Sequence, residues 1–260
     1  MVTLEQIKEL RGQTQCPMME CKQALQESDG DFEQAKTIMR QKLGAIGDTK
    51  TSTGQEGFII IEQFFQGIIA DEVLVMLQIS TDTDFVAKNK LVLDSAKSIA
   101  SAISCNGKTS HILDNIRAQT GENIQIARKL VYPINPLVPF GTYVHFDNKT
   151  ASVVSFKNHV DEELRKQVAM HVVAASPQPR YISSSDVPES ELTQERILLE
   201  GKAKDKPDNI KEKIVDGGLS KFKRTISLLE QPFIIDNKQT VQEAIGDAGI
   251  ISFDRWAIGE

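Results

Sequence analysis

One succession of segments recurs in this 260-residue chain and constrains its fold more than any other feature: strand, turn, strand, helix. In the first copy, Phe58–Phe65 and Glu72–Ile79 are rich in β-branched and aromatic residues, the composition of half-buried strands. A polar break follows, Ser80-Thr81-Asp82-Thr83-Asp84, and then a helical run from about Phe85 to Ser104. In the second copy, Gly141–Phe146 and Ala151–Phe156 flank a turn at Asp147-Asn148. The helix after them, Asp161–Ala175, is stopped by Pro177 and Pro179, whose rings cannot sit inside a helix. Between the copies lie a helix at Ser110–Thr120 and a strand-like Ile124–Tyr132. Segregated strands and helices of this kind predict an α+β fold rather than a doubly wound sheet, and the doubled order points to two related subdomains.

The ends of the chain read differently. The first 44 residues predict three short helices. Thr3 and Gln6 form a capping box before Leu4, Ile7 and Leu10, Pro17 suits the first turn of a second helix, and Asp29-Gly30 ends it. Asp31 with Gln34 caps a third helix that carries Phe32, Ala35, Ile38 and Met39 inward. Residues 45–56 lack periodicity and read as a linker. Residues 186–229 have helical composition with few large apolar side chains, a break at Gly201–Pro207 and an interruption at Gly217-Gly218, which suits a helical hairpin projecting from the core. Strands at Phe233–Ile235 and Ile250–Ile258 return around a short helix at Thr240–Asp247. The expected division is a three-helix module at 1–44, a linker at 45–56, a core N-subdomain at 57–140, a core C-subdomain at 141–185 and 230–260, and an arm at 186–229.

Composition excludes several function classes. A net charge of −6, with both signs interleaved, argues against direct nucleic-acid binding by phosphate neutralisation and leaves room for a protein partner. The amino terminus shows no secretory pattern, and no apolar run approaches the length needed to cross a bilayer, so no membrane role is expected. The three cysteines, Cys16, Cys21 and Cys105, form no Cys-x-x-Cys pair; a reducing compartment, the cytoplasm by default, is the natural reading. No P-loop, Gly-x-Gly-x-x-Gly, His-Glu-x-x-His or Gly-x-Ser-x-Gly is present, and the four histidines have no metal-site spacing. The chain is expected to be no enzyme and to need no cofactor or metal.

Three stretches still need an explanation. In Thr81-Asp82-Thr83-Asp84-Phe85-Val86-Ala87-Lys88-Asn89, Asp82 or Thr83 can cap the helix with Phe85 and Val86 turned into the core; alternatively the stretch is a partner-binding tip, or Asp82 and Asp84 hold a metal. In Pro17-Met18-Met19-Glu20-Cys21-Lys22, helical spacing puts Met18, Cys21 and Leu25 on one face and Met19, Lys22 and Gln26 on the other. An exposed methionine beside basic residues such as Arg11 and Lys22 is either an adaptable contact patch or a residue covered by the preceding turn. In Arg165-Lys166-Gln167-Val168-Ala169-Met170-His171, the histidine shares a stripe with Val168, Val172 and Ala175, the usual place of a hydrogen-bonded core histidine.

These stretches are also where the sequence resembles the elongation factor Ts family, the exchange factors of elongation factor Tu. Leu10-Arg11 and Lys22-Gln23-Ala24-Leu25, then Gly30-Asp31 and Ala35, are similar to the family's amino-terminal ubiquitin-associated-like module. Thr83-Asp84-Phe85-Val86-Ala87-Lys88-Asn89 is similar to its most specific signature. Further matches run in order: Gly121-Glu122-Asn123-Ile124, Gly141-Thr142-Tyr143-Val144-His145, Val168-Ala169-Met170-His171, Lys213–Gly217, Lys221-Phe222, Gln231-Pro232-Phe233 and Gly259-Glu260.

The resemblance implies a protein that promotes exchange of GDP for GTP on elongation factor Tu by binding its nucleotide domain and dislodging Mg²⁺. Thr83, Asp84, Phe85 and Val86 would form the Mg²⁺-dislocating tip, with Asp84 and Phe85 reaching into the partner. Arg11, Met18, Met19 and Lys22 would dock the small module, and Gly121, His145, Lys166 and His171 would contribute to the contact surface of the core. The partner would be elongation factor Tu, GDP-bound or nucleotide-free, and the arm would pair two factors as a homodimer in a two-plus-two complex. Two competing readings remain at this point: a binding partner of elongation factor Tu without exchange activity, and a metal-dependent enzyme using Asp82 and Asp84.

Overall fold

Residues 2–14, 18–39, 56–66, 71–204 and 207–260 are described by the structure, a computed structural model. Pro17, the linker apart from Glu56, and the end of the 1–44 segment lie outside the described residues. The fold is α+β and divides into two compact units. The first comprises Met1–Ile134, Phe146–Thr150 and Trp256–Glu260, and the second Asn135–His145 and Ala151–Arg255.

In the first unit, helices α1 (Leu4–Thr14), α2 (Met18–Glu27) and α3 (helical over 32–39) precede the sheet. The Thr3 amide donates to Gln6 Oε1 at 2.9 Å and the Gln6 amide to Thr3 Oγ1 at 3.3 Å, while Asp31 Oδ1 accepts from the amides of Glu33 and Gln34, both at 2.9 Å. These side chains satisfy backbone donors that a helix start leaves without partners. Ile7, Leu10, Cys21, Ala24, Leu25, Ala35 and Met39 share one core, and Ala118, from a later helix, is buried in it.

Strands β1 (Glu56–Gln66) and β2 (Asp71–Thr81) pair antiparallel in unbroken register from Glu56 opposite Thr81 to Gln66 opposite Asp71. Helices α4 (Asp84–Ala87), α5 (Lys90–Ser104) and α6 (Ser110–Thr120) follow, and β3 (Gln125–Ile134) returns beside β2. Period-2 alternation sends Phe58 and Ile60 from β1, and Val75, Leu77 and Ile79 from β2, into a core with Val92, Ala96, Ile99 and Ala100 of α5. Arg128 of β3 donates to Gln78 Oε1 at 2.6 Å and to the Ala257 carbonyl at 2.9 Å, its guanidinium 5.2 Å from the centre of the Trp256 ring. It thereby ties Trp256 and Ala257, which belong to this unit, to the sheet.

The second unit repeats the order. Strands β4 (Phe140–Val144) and β5 (Thr150–Phe156) pair antiparallel, helix α7 (Glu162–Ala174) packs on β4, and β6 (Ile250–Ala257) lies beside β5. Both sheets thus place the third strand next to the second strand of the hairpin. Between α7 and β6 come α8 (Glu189–Lys202), α9 (Asp208–Ile226) and the short α10 (Val241–Ile245).

Three sequence expectations need correction. The single helix expected over Phe85–Ser104 is two, because the Asn89 side chain accepts the Leu91 amide at 2.9 Å and starts α5 afresh. Gly217-Gly218 does not interrupt its helix: α9 runs through both, and α8 packs there, since a Cβ on Gly218 would lie 2.7 Å from either Leu199 Cδ atom. Phe233–Ile235 is no strand. Pro232 makes a single bridge to Thr240, the Phe233 amide closes a turn onto the Gln239 carbonyl at 2.9 Å, and the Phe233 ring is buried.

Candidate functional site

The β1–β2 hairpin delivers the chain at Thr81 to a loop fixed from both sides. Gly121 ends α6 with φ +71°, in the left-handed region that glycine enters without strain, and this turn brings Glu122 and Asn123 against the loop. Glu122 Oε1 accepts from the Thr83 hydroxyl at 2.7 Å and Oε2 from the Thr83 amide at 3.1 Å. The Asn123 amide donates to Asp82 Oδ2 at 3.1 Å. The Gly121-Glu122-Asn123 and Thr83-Asp84-Phe85-Val86 motifs, separated in sequence, are therefore two halves of one built structure.

Thr83 is the N-cap of α4, its hydroxyl accepting the Val86 amide at 3.3 Å. Val86 and Ala87 sink into the sheet–helix core, and the helical turn then faces Phe85 outward, where its ring is 81% exposed. Burial of Phe85 beside Val86 is thus overturned: Val86 and Ala87 occupy the inward face of the turn, and Phe85, about 200° round the helix from Ala87, falls on the opposite face. Asp84 does not cap. Its Oδ2 accepts from Lys88 Nζ at 2.6 Å, and its Oδ1 faces Lys149 Nζ at 3.4 Å. Lys149 in turn donates to Glu56 Oε2 at 2.8 Å. The Lys88 hydrogen bond, followed by Lys149, holds the Asp84 carboxyl below the usual carboxylate range against the opposing effect of burial. The hydrogen bond to Glu56, helped by Asp84, pushes the Lys149 ammonium up. Asp82 and Asp84 are both engaged by protein donors, which disfavours the metal-site reading, and among the described residues no cluster of three His, Cys, Asp or Glu could hold a metal.

The other expected site residues are distributed as follows. On α2, Cys21 and Leu25 are fully buried, Met18 is half-buried, and Met19 (65% exposed) and Lys22 face outward, with Arg11 exposed in the last turn of α1. His145 and Lys166 belong to the second unit; the His145 ring is half-buried and meets the edge of Tyr143 at 6.4 Å, and Lys166 is exposed on α7. His171 is buried, which disfavours direct partner contact by its ring. The Ile234 amide donates to its Nδ1 at 3.3 Å, so the proton sits on Nε2, which donates to Gln231 Oε1 at 3.0 Å. Gln231 is oriented by its own donation to the carbonyls of Pro177 (2.9 Å) and Thr225 (2.7 Å). Burial lowers the His171 pKa, only partly offset by Gln231, and the ring is neutral at neutral pH.

Sequence reasoning missed Glu122 and Lys149, whose side chains reach the tip, Glu56, which holds Lys149, and Phe146, which is 88% exposed. The strand run legible at Phe58 gave no sign that Glu56 would pair across from Thr81. Lys149 follows a plain Asp-Asn turn, and only tertiary structure brings it to Asp84.

The site is thus an exposed aromatic ring raised on a braced polar turn of an α+β chain. Residues 82–260 match the family model described as elongation factor TS. Over its whole length the chain is 33% identical to an elongation factor Ts of Burkholderia thailandensis, covering 91% of that protein, and 31% identical to one of Spiroplasma citri, covering 93%. The chain belongs to the elongation factor Ts family.

Proposed function

We propose that this protein promotes exchange of GDP for GTP on elongation factor Tu, acting by insertion rather than by catalysis of any covalent step. The observation that carries the reading is the exposed Phe85 ring on a turn whose next two residues are buried and whose cap is bonded to Glu122. Leaving a ring of this size in water forgoes burial worth about 1.5–3 kcal/mol, a cost that a binding surface recovers in the complex. In this reading the ring and the Asp84 carboxylate enter the nucleotide domain of elongation factor Tu and shift its Mg²⁺, which bridges and neutralises the phosphates, so the nucleotide's hold weakens. The coupling is reciprocal: bound nucleotide weakens the factor by the same ratio that the factor weakens the nucleotide. A thousandfold ratio corresponds to about 4 kcal/mol, within reach of a few well-packed interface residues.

Arg11, Met19 and Lys22 support the docking of the three-helix segment, since all three are exposed while the opposite face of α2 is core. Gly121 and His145 complete the contact in this reading, and Lys166 supplies an exposed cation on α7. The α8–α9 pair serves as the arm that joins two factors, giving a two-plus-two complex in the cytoplasm. Among the described residues no helix is long and apolar enough to cross a membrane. The test is release of a fluorescent guanine nucleotide from elongation factor Tu by wild type and Phe85→Ala, with thermal stability measured on the same preparations. Slow release by a Phe85→Ala protein of normal stability supports insertion; full release contradicts it and favours a partner that binds without exchanging.

A further inference from the structure

We infer that Lys149 is a positioning residue of the tip: its ammonium, shared between Glu56 and Asp84, sets the orientation of the turn that carries Phe85. The inference rests on the exchange reading above and assigns that site a residue that acts through Asp84.

Lys149 is fixed by its backbone before its side chain is considered. The Ile59 amide donates to the carbonyl of Asn148 at 2.7 Å, the Ile258 amide to the carbonyl of Lys149 at 2.9 Å, and the Lys149 amide donates to Asp147 Oδ1 at 2.8 Å. The 146–150 turn is thus bonded to β1 and to the chain end that follows β6, independently of the Lys149 side chain. From this base the ammonium reaches Glu56 Oε2 at 2.8 Å and Asp84 Oδ1 at 3.4 Å.

The geometry of the tip gives such a tie a role. Helix α4 is one turn long; Val86 and Ala87 anchor its inner face in the core, and the outer face, which carries Asp84 and Phe85, has no such apolar anchor. Glu122 holds the Thr83 end. Lys88, the other cation on Asp84, sits four residues along the same turn, so its bond is local and does not orient the turn relative to the sheet. Lys149 is the group that connects the Asp84 side to the sheet, because Glu56 lies at the start of β1 opposite Thr81. Asp84 Oδ1 is buried and accepts no hydrogen bond of good geometry, so the charge opposite it is what compensates its burial. Without that ammonium the Glu56 and Asp84 carboxylates would lose the cation they share, with only Lys88 left on the far oxygen of Asp84, and the outer face of the turn would be free to shift.

The experiment compares nucleotide release from elongation factor Tu for wild type, Phe85→Ala, Lys149→Met, Lys149→Arg, Asp84→Asn and the double variant Lys149→Met/Asp84→Asn. Because the lysine is partly exposed and its backbone bonds persist, Lys149→Met is expected to keep its thermal midpoint within a few degrees. Its release rate is expected to fall about tenfold, with Lys149→Arg recovering most of the loss. In an Asp84→Asn background, Lys149→Met is expected to add no further loss, since the lysine acts through that carboxylate. A fluorine resonance from 4-fluorophenylalanine at position 85 should shift or broaden in Lys149→Met and return in Lys149→Arg, which a merely structural lysine would not cause. Wild-type release by Lys149→Met alongside a defective Phe85→Ala overturns this inference and leaves the exchange reading standing. A further loss in the Asp84→Asn background overturns it in favour of direct contact with the partner. Full release by Phe85→Ala instead overturns the exchange reading itself.

Discussion

Thr83 carries three duties in a few atoms: its hydroxyl caps α4 through the Val86 amide, the same hydroxyl donates to Glu122, and its amide is held by the second Glu122 oxygen. Thr83→Val keeps the shape and the amide bond but deletes the hydroxyl, so it removes the cap and half of the Glu122 clamp. Loss of such a cap costs about 1 kcal/mol. For a chain of this size that lowers the melting midpoint by about 2–4 °C. Calorimetry is expected to show that small shift while nucleotide release slows by a larger factor, because the turn carrying Phe85 is loosened locally. An unchanged release rate would mean that the clamp contributes nothing to the tip. At this scale the sequence was partly legible. Thr83 followed by a helical run marks a cap, but that its partner would be Glu122 needed the αL turn at Gly121 to be placed in space.

Among the elements, α7 is held by a buried polar group whose protonation state the fold dictates. With Nδ1 receiving the Ile234 amide and Nε2 donating to Gln231, the neutral His171 ring fits and a second proton would oppose the Ile234 N–H. The folded-state pKa is lowered by burial, so the unfolded chain takes up the proton first. This contribution is therefore fully present above the ordinary histidine range. It is lost as pH falls through that range toward the folded value, at a limiting slope of about 1.4 kcal/mol per pH unit. Urea titrations across mildly acidic pH are expected to show that decline in wild type and a flatter profile in His171→Gln; equal slopes would contradict the assignment. The stripe of Val168, His171 and Val172 made a core histidine readable from spacing alone. Other elements were less legible. Asn89 gave no composition change strong enough to divide α4 from α5, and Gly217-Gly218 carries the local signature of a break. Leu199 of α8 packs against Gly218 of α9, and tertiary contact overrides the propensity of the glycine pair.

At the scale of the whole molecule, the first unit joins two parts of the proposed binding apparatus through one helix. α6 buries Ala118 among the N-terminal helices and ends at Gly121, from which Glu122 reaches the tip. Deleting residues 1–44 uncovers Ala118 but leaves the sheet cores intact. The truncated protein is expected to remain folded and to bind elongation factor Tu more weakly, while the full chain sediments with it as a two-plus-two complex. Analytical ultracentrifugation checks both expectations, and unimpaired binding by the truncated form or a one-to-one full-length complex would contradict the corresponding part. The doubled hairpin–helix order that sequence revealed is the order of both sheets, and the third strand of each lies where the hairpin's second strand offers an edge. What sequence could not supply was which distant turns converge on Asp84. The central claim is that Phe85 is held out of the core in order to enter a partner, and paired measurements on Phe85→Ala test it most directly. Phe85→Ala is expected to keep its thermal stability within about 0.5 kcal/mol of wild type, as for an exposed side chain, and to lose most of the rate of fluorescent-nucleotide release from elongation factor Tu. A stable Phe85→Ala protein that releases nucleotide at the wild-type rate would contradict it.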